Sequence, residues 1–155
     1  MLKTLTDFLD SHHIRYLTIH HSIAYTAQEI AGSVHIHGRE FAKSVIVNLD
    51  GKMVIAVIPA TEKLDTELLA GAADARKVEI AAEDEFEGHF PKCETGAMPP
   101  FGNLFDMDVY LEEEMTSNDR ITFNAGSHTE LIQMSMRDFV DLVKPKVVRM
   151  YKSYL

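Results

Sequence analysis

The stretch at residues 44–59, Ser-Val-Ile-Val-Asn-Leu-Asp-Gly-Lys-Met-Val-Ile-Ala-Val-Ile-Pro, decides the fold of this chain. It predicts two strands, at residues 44–49 and 52–59, joined by Asp50-Gly51, which supplies the positive φ angles of a tight hairpin turn. Both strands are almost continuously apolar. That pattern is typical of a hairpin inside a sheet that is covered on both faces.

Outward from the hairpin, hydrophobic spacing and capping signals predict further helices and strands. The predicted helices cover residues 2–13, 26–32, 61–72, 82–88 and 135–143, with a last helix from Pro145 to the end of the chain. The other predicted strands cover residues 15–20, 77–80, 108–111, 121–124 and 129–134. Because these elements interleave without a regular βαβ rhythm, we expect an α+β fold with a mixed β-sheet core flanked by helices.

Length and composition fit one compact domain over residues 1–155. Hydrophobic residues make up 46% and charged residues 25% of the chain, ordinary values for a globular protein. The single cysteine, Cys93, excludes an internal disulfide framework. Residues 1–11 do not resemble a signal peptide, and the longest apolar stretch is too short to cross a bilayer. A cytoplasmic location, without membrane or DNA partners, is the expectation.

The formal net charge of −9 opposes long-range attraction to RNA. A basic stretch near the C-terminus, after Asp141, holds Lys144, Lys146, Arg149 and Lys152. That stretch is either the solvated face of the last helix or a contact to an RNA backbone.

Lys43 stands immediately before the first core strand. A lysine there can bind a phosphate or a developing oxyanion. The alternative is a gatekeeper charge that flanks an aggregation-prone strand.

A rigid loop covers residues 96–102, Gly-Ala-Met-Pro-Pro-Phe-Gly. Its two prolines fix φ and remove N–H groups, while its glycines allow close backbone approach to a ligand. Such a loop can aim backbone N–H groups at an oxyanion or a water, or it can be a structural crossover.

Residues 124–128, Asn-Ala-Gly-Ser-His, follow a predicted strand. His128 is a candidate general base because the reference pKa of histidine lies near neutrality, and Ser127 can hydrogen-bond a substrate hydroxyl. The alternative is a turn held by local hydrogen bonds.

Other histidines and Cys93 suggest weaker candidates. His35 and His37 share a face if they lie on a strand, but no metal-ligand spacing accompanies them, so a metal site is not favoured. Cys93 is a candidate nucleophile without a base placed beside it by sequence, and a partly buried structural cysteine is the favoured interpretation.

In order and spacing, five pieces of this chain resemble the YbaK family, also called the prolyl-tRNA synthetase-associated editing domain. They are residues 26–29 (Thr-Ala-Gln-Glu), 41–44 (Phe-Ala-Lys-Ser), 56–60 with 64–65, 96–102, and 124–126. The resemblance covers roughly residues 22–143. Residues 32–39, with their two histidines, do not match the better-known deacylases of the family.

The resemblance implies a mixed sheet with a pocket at one end, and hydrolysis of the ester between a wrong amino acid and the 3′-terminal adenosine of tRNA. It implies that Lys43 contacts the substrate and that Gly96 lines the reacting centre through its backbone, so we assign these two as catalytic. The expected substrate-binding residues are Pro100, Phe101, Gly102, Asn124, Gly126, Ser127 and His128. No metal, cofactor or covalent nucleophile is implied, and catalysis rests on a positioned water and the vicinal ribose hydroxyl.

The sequence therefore predicts a stand-alone trans-editing deacylase whose partner is the aminoacyl-tRNA 3′ end, with an aminoacyl-tRNA synthetase as a further candidate partner. Two alternatives stay open. One is a non-catalytic binding module that keeps the pocket, and the other is a hydrolase of another small ester with His128 as base. Alanine, cysteine and serine are all small enough to be the amino acid removed.

Overall fold

A computed structural model describes residues 1–20 and 38–152. The α-helices in these ranges are α1 (Lys3–Ser11), α2 (Thr66–Ala72), α3 (Glu83–Phe86) and α4 (Met136–Val143). The strands are β1 (Tyr16–His20), β2 (Ala42–Leu49), β3 (Lys52–Pro59), β4 (Val78–Ile80), β5 (Val109–Glu112), β6 (Arg120–Ser127), β7 (Glu130–Ser135) and β8 (Lys146–Val148). Short 3-10 turns cover Gly38–Glu40, Glu87–His89, Gly102–Leu104 and Glu113–Ser117.

The predicted hairpin is confirmed. Strands β2 and β3 pair antiparallel from Ala42 opposite Pro59 to Leu49 opposite Lys52. At the turn, Asp50 has φ 49° and Gly51 has φ 87°, the left-handed angles that a tight hairpin requires. The Asp50 carboxylate also accepts hydrogen bonds from the backbone N–H groups of Arg76 and Lys77, which connects the turn to the chain entering β4.

Two sheets build the fold. One has the order β4-β2-β3-β5-β8, with antiparallel pairing on the β4-β2-β3 side and parallel pairing of β3 with β5 and of β5 with β8. The other has the order β1-β7-β6 and is antiparallel throughout. A parallel bridge between Phe41 and Thr122 joins them where β2 begins. The α+β class with a mixed sheet and flanking helices is confirmed.

The hairpin separates two hydrophobic clusters. On one face, Ile55 and Val57 pack with α1 and a group of buried phenylalanines. On the other face, Ala56 and Ile58 pack with Leu69 of α2 and with Met150. Because successive strand residues point to opposite faces, both sets of β3 residues must be apolar, which explains the continuous apolar run in the sequence.

The predicted C-terminal helix from Pro145 is wrong. Lys144 ends α4 in the left-handed conformation, with φ 52°, and its N–H donates to the Val140 carbonyl. The chain then enters β8, which pairs with the otherwise free edge of β5. Lys146 lies in this strand, with its Nζ 3.7 Å from Asp108, so the basic stretch is not the face of a last helix.

The helix predicted over residues 61–72 is shorter than expected. It begins at Thr66, where the Asp65 carboxylate caps it by accepting from the N–H groups of Glu67 and Leu68. The helix predicted over residues 26–32 lies outside the described residues.

Candidate functional site

Lys43 lies on β2 opposite Ile58, and its side chain is half-buried. Burial lowers the pKa of Lys43, while the nearby Glu62 carboxylate acts to raise it and Lys63 acts to lower it. A half-buried ammonium next to one carboxylate is a desolvated cation that can contact a substrate anion more strongly than an exposed lysine can.

Lys43 and Asn124 both follow closely after the bridge that joins the two sheets. Lys43 comes two residues after Phe41 on β2, and Asn124 comes two residues after Thr122 on β6. The bridge is a single pair, and beyond it β2 pairs with β3 while β6 pairs with β7, so the two residues lie near the point where the sheets meet.

One polar atom on each of the strands β2 and β6 lacks a partner in the described part of the chain. Among residues 1–20 and 38–152, the Ser44 hydroxyl and the Asn124 side-chain oxygen are buried with no hydrogen-bond partner. A buried polar atom without a partner costs about 1–3 kcal/mol. An unmet contact of this kind in a native fold is available to a water or a ligand.

Glu94 and Ala97, around the start of the loop at residues 96–102, are joined to the end of β6 and to His128 after it by three hydrogen bonds. Glu94 N–H donates to the Gly126 carbonyl at 2.8 Å, and Gly126 N–H donates to the Ala97 carbonyl at 3.0 Å. The backbone N–H of His128 donates to the Glu94 carboxylate at 2.9 Å. The structure therefore brings Gly96 together with Gly126 and His128, which are far apart in the sequence.

His128 is held in one orientation. Its Nε2 lies 2.8 Å from the Thr95 carbonyl oxygen, which can only accept a hydrogen bond, so Nε2 carries the proton. The neutral ring then has its lone pair on Nδ1. A Cβ at Gly96 would lie 3.3 Å from His128 Cε1, so the ring packs directly on the Gly96 backbone.

Gly96 carries a weakly held backbone donor. Its φ of 87° is left-handed, a conformation that favours glycine. Its N–H donates to the Met98 thioether sulfur at 3.2 Å, and a thioether is a weak acceptor. A developing oxyanion would be a better partner for this N–H.

Ser127 and Gly126 lie at an irregularity of β6. The pairing register with β7 shifts between Asn124 and Ser127, as it does at a β-bulge. Gly126 has φ 95°, and the Ser127 hydroxyl donates to Glu130 at 3.1 Å. The bulge turns the end of β6 toward the loop at residues 96–102.

The second half of that loop lies in the core. Pro100, Phe101 and Gly102 are all buried, and the Phe101 ring lies 5.4 Å from that of Phe123 and 5.5 Å from that of Phe139. These residues anchor the loop from inside, and direct contact of their side chains with a substrate stays a prediction.

Sequence reasoning missed Glu94 and Thr95, which hold His128, and Glu62, whose charge reaches Lys43. The first two precede Gly96 directly, but nothing in their local pattern indicates a partner on a distant strand. Cys93 is half-buried, and burial raises the pKa of its thiol to about 11, so it is protonated at neutral pH and poorly suited to act as a nucleophile.

Within the described ranges, no group of three or more His, Cys, Asp or Glu side chains is arranged to hold a metal ion, and His35 and His37 lie outside those ranges. No helix in residues 1–20 or 38–152 is both long and apolar enough to span a bilayer.

Comparison with known proteins gives a family match and a relative that describe the same reaction class. A family model described as an aminoacyl-tRNA editing domain matches residues 21–142. A relative from Enterococcus faecalis (strain ATCC 700802 / V583), named as a candidate Cys-tRNA(Pro)/Cys-tRNA(Cys) deacylase, EbsC, is 30% identical over 118 residues, covering 76% of this chain and 71% of the relative.

Solved structures share the fold at low identity. One, described as a candidate trans-editing enzyme for prolyl-tRNA synthetase, superposes with a TM-score of 0.81 at 16% identity, covering 96% of this chain and 95% of that one. Another, described only as a hypothetical protein, gives a TM-score of 0.85 at 18% identity, covering 97% and 100%. By its family match and its curated relative, this chain belongs to the aminoacyl-tRNA editing domain family, as its sequence motifs predicted.

Proposed function

We propose that this protein is a trans-editing deacylase that hydrolyses the 3′-terminal aminoacyl ester of mischarged tRNA, with Lys43 and Gly96 at the reacting centre. The observation that carries the proposal is the junction of the two sheets. A half-buried lysine follows the bridge on β2, and the other strand of the bridge, β6, is hydrogen-bonded through Gly126 to the loop at residues 96–102. Family membership and the name of the curated relative support the same reaction class.

In this mechanism a water attacks the ester carbonyl, and negative charge develops on the carbonyl oxygen. The Gly96 N–H and the Lys43 ammonium stabilise the negative charge on that oxygen. Stabilisation of this kind by preorganised donors is usually the largest single contribution to the catalysis of acyl transfer. The bond from the carbonyl carbon to the ribose 3′ oxygen then breaks. The attacking water loses its proton, and the ribose oxygen takes one up, so the products are a free amino acid and uncharged tRNA.

His128 is the proposed acceptor for the water proton or for a substrate N–H or O–H group. Its Nε2 proton is committed to the Thr95 carbonyl, which leaves Nδ1 as the available nitrogen. The competing hypothesis of a hydrolase for another small ester uses the same nitrogen as its base, so the two hypotheses differ in substrate and not in geometry.

The proposal requires no metal and no cofactor. One cation and one backbone donor can provide the electrostatic help that an ester, a comparatively reactive bond, requires. The amino acid removed is a small one, of which alanine, cysteine and serine are the candidates. Because the net charge is −9, we propose contact with the end of the tRNA only, and a partner aminoacyl-tRNA synthetase as a source of further affinity.

The test uses tRNAs charged with labelled small amino acids, each assayed with and without a chelator. We expect the wild type to release one or a few of these amino acids. We expect Lys43→Ala to reduce the rate about 10²-fold or more, the usual loss on removal of one oxyanion-stabilising group. The matched control is Lys77→Ala, since Lys77 is exposed and borders the turn at the other end of the hairpin.

Absence of release from every charged tRNA would overturn the stand-alone deacylase and favour the non-catalytic module, for which the acidic charge balance is the motivating observation. Release that Lys43→Ala leaves unchanged would instead place the chemistry elsewhere. Loss of activity with the chelator would overturn metal independence alone.

A further inference from the structure

The ester of an aminoacyl-tRNA differs from a simple ester by the ammonium group on the carbon next to its carbonyl. The Lys43 ammonium and the Gly96 N–H, the two groups proposed at the reacting centre, are donors, so neither can accept a hydrogen bond from that ammonium. A site selective for aminoacyl esters therefore needs an acceptor close by. A carboxylate suits this role best, because hydrogen bonds between ionised partners are the strong ones.

Glu94 contacts both segments that form the site. Its N–H donates to the Gly126 carbonyl at 2.8 Å, and its carbonyl accepts from the Ala97 N–H at 3.0 Å. Its Oε2 accepts from the backbone N–H of His128 at 2.9 Å. The His128 ring packs on Gly96, two residues after Glu94 in the chain. The Glu94 carboxylate is therefore held beside the His128 backbone, on the stretch that leads directly into Gly96.

One carboxylate oxygen of Glu94 is left for a ligand. The His128 N–H occupies Oε2, whereas Oε1 accepts no hydrogen bond from the described part of the chain. Within the same part of the chain, Glu94 belongs to no ion pair. Glu130, a second carboxylate beside the end of β6, is by contrast engaged by the Met1 ammonium and the Ser127 hydroxyl. The Glu94 side chain is also exposed, so a substrate can reach it from solvent.

Glu62 is the alternative acceptor, since its charge acts on Lys43. A substrate ammonium bound at Glu62 would lie close to the Lys43 ammonium, and two like charges at short range repel each other. At Glu94 the substrate ammonium would meet a carboxylate that no described cation neutralises. The distribution of charge therefore favours Glu94.

We propose that the Glu94 carboxylate binds the α-ammonium of the aminoacyl ester through Oε1, while its Oε2 holds the backbone of His128. The inference rests on the proposed function for the ester itself, and it adds the residue that separates aminoacyl esters from simple esters. The ammonium then lies at Glu94, and the carbonyl oxygen lies at the Gly96 N–H and Lys43. Groups of opposite charge thus orient the two ends of the reacting part of the substrate.

The experiment compares alanyl-tRNA with lactyl-tRNA, in which a hydroxyl replaces the α-ammonium. The assay is run at about pH 6.5, below the reference pKa of about 7.7–8.0 for an α-amino group, and each rate is divided by that of uncatalysed hydrolysis. For another released amino acid, the pair is that amino acid and its α-hydroxy analogue. We expect the wild type to prefer the amino acid ester.

Glu94→Gln should lower kcat/KM for alanyl-tRNA about two- to fivefold, the effect of losing one exposed ion pair, and leave lactyl-tRNA unchanged. Glutamine keeps an acceptor for the His128 N–H, so this variant loses the charge alone. Glu94→Ala loses both contacts and should slow both esters. Equal slowing of both esters by Glu94→Gln would instead assign Glu94 to holding His128 only, and would overturn the proposal.

The matched control is Glu79→Gln, which removes one negative charge from β4 near the turn of the hairpin, where Glu79 pairs with the exposed Lys77. It measures the general effect of protein charge on tRNA affinity. Glu62→Gln tests the alternative acceptor. The proposal is wrong if Glu94→Gln and Glu79→Gln have the same effect, or if Glu62→Gln is the change that removes the preference for the alanyl ester.

A second measurement needs no turnover. L-Alaninamide carries the ammonium without an ester, and lactamide is its neutral counterpart. Each is titrated into the full chain up to about 50 mM, and the amide NMR signals of residues 94–97 and 126–128 are followed. We expect alaninamide alone to shift these signals, with weaker binding in Glu94→Gln than in the wild type.

No shift with alaninamide, or an equal shift with lactamide, would overturn the assignment of Glu94 even where tRNA is deacylated. Shifts with alaninamide but no release from any charged tRNA would count against the proposed function and leave the binding role of Glu94 supported. The two failures are therefore distinguishable.

Discussion

The Gly96 backbone and the His128 ring pack against each other, and this contact restricts which side chains the two positions can hold. The left-handed φ of Gly96 admits few other residues, and a side chain there would meet the imidazole ring. The ring is fixed in turn by the Thr95 carbonyl, which lies next to Gly96 in the chain. One residue change therefore tests both the loop conformation and the orientation of the histidine.

Gly96→Ala should destabilise the protein by about 1–2 kcal/mol, because a left-handed alanine is strained by that amount. It should also lower deacylation by more than the loss of folded protein explains, since the new Cβ would lie 3.3 Å from His128 Cε1. Denaturant unfolding and single-turnover deacylation measure the two effects.

The matched control is Gly71→Ala in α2, where a Cβ meets nothing within 4 Å. That change should stabilise the protein by about 0.5–1 kcal/mol, the helix preference of alanine over glycine. If Gly96→Ala and Gly71→Ala changed stability and deacylation to the same extent, the close contact of Gly96 with His128 would not contribute to activity.

At the scale of elements, the loop at residues 96–102 has two parts: Gly96 packs against His128, and the residues after it lie in the hydrophobic core. Gly96 faces His128, whereas Phe101 is fully buried among Phe8, Phe123 and Phe139. Gly102 permits this path, because a Cβ there would lie 1.9 Å from the Met107 carbonyl oxygen. The buried half therefore fixes the position of Gly96 beside His128.

Phe101→Ala should lower the free energy of unfolding by about 3–5 kcal/mol, the usual effect of removing a buried phenylalanine. Leu17→Ala is the control, since Leu17 is 61% exposed and should change stability by less than about 0.5 kcal/mol. Chemical denaturation of both variants measures the difference. A stability loss as small as that of Leu17→Ala would show that Phe101 is not an anchor.

Elements that depend on local chemistry were predicted well. Asp50-Gly51 encodes its turn, and Ser135 caps α4 by accepting from the Asp138 N–H, as its spacing predicted. The segment after Pro145 was predicted as a helix but forms β8, because it pairs with β5. The free edge of β5 is created by the tertiary fold, and no pattern in the local sequence indicates it. For the same reason the sequence alone could name Gly96 and His128 but could not bring them together through Glu94.

At the scale of the whole molecule, the acidic charge sets how tRNA is approached. A net charge of −9 repels a polyanion at long range, and the proposed function requires contact with the end of the tRNA only. Few counterions are therefore released on binding, in contrast to proteins that follow a nucleic-acid backbone.

We expect kcat/KM for deacylation to change by less than about fourfold between 50 and 200 mM salt, the slope of about one phosphate contact. Steady-state kinetics over a salt series measures this. A fall of about 10³-fold or more over that range would indicate six or more phosphate contacts, and the basic residues near the C-terminus would then be the first to replace.

The order of pairing in the five-stranded sheet also has a consequence during synthesis. Strands β2 and β3 can pair as soon as both have left the ribosome, but β5 and β8, which complete the sheet beyond β3, are made much later. Until then the apolar edge of β3 is open to strands of other nascent chains. Lys43, at the open end of β2, and Lys52, at the turn end of β3, put a charge at each end of the hairpin while that edge is unpaired, which is the placement of charges that limit aggregation.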